Sequence, residues 1–218
     1  MSAFGYRKPA DLPSTAPIFP LTGAILFPRA PMPLNIFEPR YLNMVDDALA
    51  ADRAIGMIQP ATEDARKPPL SDVGTLGRIT SFAETGDGRY LITLTGVCRF
   101  RVERELEAGT PYRRAVVRYD EFARDLHENT RDADAVDRSR LTRALKHYGE
   151  ARQLQVDWSS VEEASAEALV HAVAALCPFD AAAKQALLEA PTLCDCAATL
   201  VALLELDAAG DGSESNLQ

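Results

Sequence analysis

A chain of 218 residues that is 47% hydrophobic and 25% charged is globular, and its length suits two units of roughly 100 residues each. Its formal net charge of −9 repels the phosphate backbone that supplies most nucleic-acid affinity, which weighs against a nucleic-acid partner. The N-terminus has no continuous apolar run before its prolines, and the most apolar stretch, "ALVHAVAALCPF", is too short and too interrupted by His171 and Pro178 to span a bilayer. A cytoplasmic protein is therefore expected, with Cys98, Cys177, Cys194 and Cys196 as reduced thiols.

Taken in chain order, residues 1–16 read as a flexible terminus and 17–120 as a strand-rich domain. "PIFPL", "ILF" and "PLNIF" are short apolar runs bounded by prolines, which suits edge or corner strands because proline donates nothing to a ladder. At Pro39 the pattern turns helical: proline fits the first helical position, and Tyr41, Leu42, Val45, Ala48 and Leu49 share one face over residues 39–50. Glu38 lies at the positive end of that helix, within reach of Arg40 for an ion pair.

"AIGMIQP" then reads as a buried strand. A longer antiparallel pair follows, joined at "ETGDGR", where Asp87-Gly88 supplies the positive φ of a tight hairpin. Gly96 interrupts the second strand of the pair, and a glycine there marks a bulge or bend that lets a sheet curl. The arginines of "RFRVER" and "YRRAVVRY" alternate with apolar residues and read as solvated faces, with the second segment closing the sheet.

Residues 120–134 are polar and aperiodic and form the junction to a helical bundle over 133–206. Val136, Leu141, Ala144, Leu145 and Tyr148 share a face of its first helix. Ser159 and Ser160, three residues before Glu162 and Glu163, resemble a capping box, while Asp180 and Thr192 cap the last two helices. Residues 207–218, small and polar, read as a second flexible terminus. Three to four helices are expected.

The constellations of catalysis are absent from this reading. The sequence has no phosphate-binding "GxxxxGK[ST]", no "GxSxG" and no "HExxH", and His127, His147 and His171 are scattered without ligand spacing. Of the four lysines, Lys146 and Lys184 are assigned to exposed helix positions, so a desolvated catalytic lysine is not expected. The pair "CDC" has one residue between its cysteines and lies in a helical segment, where positions two apart diverge by about 200°. No catalytic residue, cofactor or metal is predicted.

The motifs "IFPLTGAILFPRAPMPLNIFEPRYLNMVDDAL", "GRYLITLTGVCRFRV" and "LCPFDAAAKQALLEA", in this order, resemble the Lon protease substrate-binding domain, the N-terminal domain of the ATP-dependent Lon proteases, in its stand-alone bacterial form. The resemblance runs from about Pro17 to Leu206. It implies an α+β fold, a PUA-like pseudo-β-barrel of about six strands followed by the helical bundle. It also implies a non-catalytic module without ATPase or peptidase domains. Such a module would bind polypeptide substrates or a protein partner, such as a separate protease, in a cleft between barrel and helices. The family's "IFEPRY" falls on Ile36 to Tyr41 and its "GVxRF" on Gly96 to Phe100, and within them Phe37, Glu38, Arg40, Tyr41, Arg99 and Phe100 are the candidate binding or fold-marking residues. RNA binding through the barrel is the alternative the fold suggests.

Overall fold

A computed structural model of the chain describes residues 3–62, 67–127 and 130–214. The centre of the expected junction, 128–129, and the end of the expected tail, 215–218, lie outside the described residues. The chain divides into two compact units, Met1–Glu128 and Asn129–Gln218.

In the first unit six strands form one sheet: β1 (Thr15–Pro20), β2 (Pro31–Ile36), β3 (Ala54–Pro60), β4 (Leu70–Glu84), β5 (Tyr90–Leu106) and β6 (Arg113–Arg118). Their order is β2-β5-β4-β3-β1-β6, and β6 pairs back onto β5, so five strands close a ring and β2 is left outside it. β5 makes this possible by its length: residues 90–95 pair with β2 and residues 101–106 with β6 along one margin, while β4 follows the other.

The change of partner falls at Gly96. Here the Gly96 N–H donates to Ala30 and its carbonyl accepts from Arg29, at 3.0 and 2.8 Å. A side chain on Gly96 would meet the Phe27 carbonyl oxygen at 2.0 Å, so only glycine admits this strand-to-loop contact. The register slips by one residue beside it, since Leu76 faces Cys98 while Gly77 faces Gly96, and Val97 is left as the bulge. The hairpin at the far end has the expected glycine: Gly88 sits at φ +77 and donates to Thr85.

Contrary to the edge assignment from its prolines, β1 lies between β3 and β6. Pro17 is tolerated because pairing with β3 starts only at Ile18. β1 and β3 run parallel, joined by a long crossover through β2 and α1 (Pro39–Ala50), as parallel neighbours require. β2 is the true edge. Because Pro31 and Pro33 cannot donate, the N–H groups directed to β5 are those of Met32, Leu34 and Ile36, and the outward row is left with Asn35 as its donor. The expected loose N-terminus instead contributes two 3-10 turns, buried Leu12 and the start of β1.

One face of the sheet packs under α1, where Tyr41, Met44, Val45 and Ala48 meet Phe19, Ile55, Met57, Ile92 and Leu94. The opposite face gathers round Phe100, whose ring occupies the space left by Gly56 and Gly74. A 3-10 segment, Asp120–Leu126, forms much of the supposed junction and buries Phe122, Asp125 and Leu126.

The second unit is helical: α2 (Thr130–Asp134), α3 (Arg138–Ala151), α4 (Trp158–Glu163), α5 (Ala166–Leu176), α6 (Ala181–Glu189) and α7 (Leu193–Glu214). Among the described residues six helices stand where three to four were expected: four are longer, and α2 and α4 are short. The cap near residue 160 is Asp157 rather than Ser159 or Ser160, and Ser165 caps α5 separately. Asp180 and Thr192 cap α6 and α7 as expected. α7 runs through the start of the assigned tail to Glu214.

Replacing Gly96 by alanine forces a backbone clash and should lower stability by about 3 kcal/mol, read from the urea midpoint. Gly86→Ala, at a loop position with open space and ordinary φ, should lie within about 0.5 kcal/mol of the parent.

Candidate functional site

The candidate residues from sequence separate into two groups. At the β2–α1 joint, Glu38 takes the N-cap position without a side-chain cap bond and pairs instead with Arg40 at 2.8 Å. Arg40 also lies 4.5 Å over the Tyr41 ring, and that ring is buried, its centroid 4.4 Å from Phe19. Ile36 is buried beneath, while Phe37 turns outward with 61% of its surface exposed. The motif thus fixes the corner by burying Ile36 and Tyr41 on either side of an exposed Phe37 and an ion pair.

The second group is interior. Phe100 is fully buried, so no ligand reaches its ring. Arg99 is also largely covered, and its guanidinium grips Asp125 with Nε to Oδ2 at 2.8 Å and Nη2 to Oδ1 at 2.9 Å. The Arg99 backbone N–H donates to the same carboxylate, and the guanidinium stacks 4.7 Å over Phe122. This pair clamps the 3-10 segment onto β5. The arginine-rich strands are ion-paired rather than simply solvated: Arg101 with Glu121, Arg113 with Glu105, and Arg118 with Glu103.

A polar cleft of about 510 Å³ opens beside α1, lined by Arg40, Tyr41, Lys67, Glu105, Tyr112 and Arg113 among others. Its Lys67, Glu105 and Arg113 charges satisfy one another. Arg113 holds the Glu105 carboxyl below its usual range, and Lys67 lies 3.3 Å from the same carboxylate. Tyr112 donates to Asp47 at 2.6 Å, and burial, then that bond, push its pKa up to about 12. Burial also raises the Cys98 thiol, which donates to the Phe122 carbonyl. Among the described residues no group of three or more His, Cys, Asp or Glu side chains is disposed to hold a metal ion, and no helix is long and apolar enough to cross a membrane.

A concave surface of different character lies within the helical unit. A groove of about 590 Å³ runs along α5 and the α3–α4 connection, with Leu154, Val156, Leu169, Ala172, Val173 and Leu176 supplying much of its wall. Leu154 is 50% and Leu176 83% exposed, so large apolar side chains stand in solvent at both positions. Sequence reading took this stretch only as an apolar segment too short to span a bilayer. A sharper signal was available, since apolar residues on every side of a helix in a small unit leave one face without cover. Lys184, assigned to an exposed position, is buried and donates to the Ala175 carbonyl at 3.1 Å, where it supports the α5 terminus from below.

The sequence description of the ATP-dependent protease La (LON) substrate-binding domain matches residues 15–205. Among curated relatives, Lon protease 2 of Sorangium cellulosum is 33% identical over 111 residues and Lon protease 2 of Myxococcus xanthus 30% over 120. These alignments cover 49% and 54% of the chain and 14% of each relative, so the chain spans about one-seventh of their length. The Lon N-terminal domain protein from Xanthomonas campestris superposes with a TM-score of 0.60 at 23% identity, covering 86% of this chain and 97% of that one. The N-terminal domain of Mycobacterium avium complex Lon protease gives 0.62 at 15%, covering 87% and 97%. Both likenesses are of fold.

Truncating Asp125 to alanine leaves the Arg99 charge buried without its carboxylate and should cost about 3–5 kcal/mol, whereas Arg99→Met in the same background should recover part of that loss in a double-mutant cycle. Asp157 predicts a pH effect of known sign. Hydrogen bonds from Ser159 and Ser160 lower its pKa from 3.8 to about 2, so the stabilisation is complete above about pH 4 and lost as pH falls through about 2. Asp157→Asn keeps a capping group without the charge, and its thermal midpoint should approach that of the parent across this window while staying at a fixed offset above about pH 5.

Proposed function

The chain belongs to the family of the ATP-dependent protease La (LON) substrate-binding domain, and from that premise we propose that it is a non-catalytic module that binds polypeptides and presents them to a separate protease. The observation that carries this reading is the apolar groove of the helical unit. Its exposed Leu154 and Leu176 match the surface that an unfolded chain, but not a folded one, offers. Recognition by strand addition is disfavoured at β2, because Pro31 and Pro33 remove donors from its outward row.

The mutually satisfied charges of the polar cleft support a binding role over catalysis. A nucleophile needs an adjacent base or a lowered pKa, and Cys98 has neither exposure nor activation. The RNA-binding alternative loses support from the same pairing. Arg99, Arg101, Arg113 and Arg118, four of the six arginines on those strands, are engaged by carboxylates, which leaves less positive charge free for a phosphate backbone. A cytoplasmic location fits a chain whose four cysteines form no disulfide.

The test is retention of a reduced, carboxymethylated polypeptide by the immobilised protein, with its native counterpart as control and cleavage followed in the same samples without ATP. Retention of the unfolded form alone, with no new termini, is expected. Equal treatment of both forms, or cleavage that tracks the purified protein, would overturn the proposal.

A further inference from the structure

Resting on that reading, we infer that the groove of the helical unit selects apolar segments flanked by lysine or arginine, and that its acidic rim makes the selection. Residues 129–218 carry 15 acidic and 7 basic side chains, a net charge of −8 out of the chain's −9. The imbalance is sharpest where the groove is built. From Arg152 to Lys184 the intervening sequence contains Asp157, Glu162, Glu163, Glu167 and Asp180 and no arginine or lysine.

Part of this charge lies beside the apolar floor. Asp157 lines the groove, and the exposed Glu162 and Glu163 continue α4 from its lining residues Ser160 and Val161. Glu162 and Glu163 are exposed, so their carboxylates remain hydrated until a cation approaches. The nearby cations are held in fixed contacts of their own. Arg138 donates to the carbonyls of Ala164, Val161 and Glu162 at the end of α4, Arg152 pairs with Asp207 at 2.7 Å, and Lys184 donates to Ala175.

Along α5 the exposed residues Ala168, Ala172 and Leu176 recur every four positions, with Leu169 and Val173 deeper between them. This forms an apolar floor with acidic side chains at its α4 end. An apolar segment alone would satisfy the floor, and one with acidic flanks would be repelled at the rim. A segment with basic flanks satisfies both, and the rim also speeds its approach.

The experiment uses the full chain and two labelled peptides with one apolar core, one flanked by lysines and the other by glutamates, with affinity read from fluorescence anisotropy. Trp158 is the single tryptophan, 37% exposed at the start of α4 beside Asp157, and its emission gives a second signal local to the groove. The lysine-flanked peptide should bind about tenfold tighter, and the margin should shrink as salt is raised to about 0.5 M. Leu154→Glu and Leu176→Glu replace exposed side chains, so they should leave the circular dichroism unchanged while weakening that peptide about tenfold or more. Glu162→Lys with Glu163→Lys should erase or invert the preference.

Equal affinity for both peptides would overturn the selection, and unchanged affinity in both leucine variants would overturn the groove assignment; with unfolded polypeptide still retained, either result leaves polypeptide binding itself standing. Absence of binding to either peptide and to unfolded polypeptide would bring down both.

Discussion

The contact of Phe27 with Gly96 decides how the sheet can exist. β5 must serve β2 over its first third and β6 over its last, and the loop ahead of β2 has to cross at the point of exchange. Two backbone hydrogen bonds and the missing side chain of Gly96 make that crossing possible. The bulge at Val97 then turns the strand so that β6 can close on it. A few residues on, Arg99 anchors the 3-10 segment through Asp125 and covers the Phe100 face. Closure, bend and cover thus follow from one short piece of β5.

This arrangement explains what the sequence made legible. The helix at residues 39–50, the buried β3, the β4–β5 hairpin and the role of Gly96 are written in local patterns: a proline at the first helical position, an apolar run, a glycine at positive φ, a break in alternation. The placement of β1 is not local. Its prolines suggest an edge, yet its neighbours are set by a crossover and by β6, more than ninety positions away in sequence. Phe100 was placed among candidate residues because its motif marks the family, but its role is packing, its ring filling space left by Gly56 and Gly74. Lys184 and Asp125 escaped for a related reason. Burial of a charged side chain depends on a partner that only tertiary structure supplies, the Ala175 carbonyl in one case and Arg99 in the other.

The candidate site was legible only in part. Phe37, Glu38, Arg40 and Tyr41 do meet at one corner, and their geometry is that of a joint: two buried anchors, an ion pair and one outward ring. The apolar groove was hidden because periodicity reports which helix faces are apolar and not which are covered. The concentration of negative charge in the helical unit was, by contrast, available from the sequence once the boundary near residue 128 was drawn. The two units therefore divide physical character as well as residues: one nearly neutral and internally ion-paired, the other acidic with an open apolar floor.

The prolines of β2 bear on the hazard that comes with handling unfolded chains. A protein that collects sticky segments raises their concentration around itself, and any receptive strand margin on its own sheet would become a seed for amyloid-like growth. Pro31 and Pro33 make this margin mute: an incoming strand finds carbonyls but almost no partners for its own. Were the module to hold aggregation-prone segments as proposed, this side of its sheet would not draw it into their aggregate.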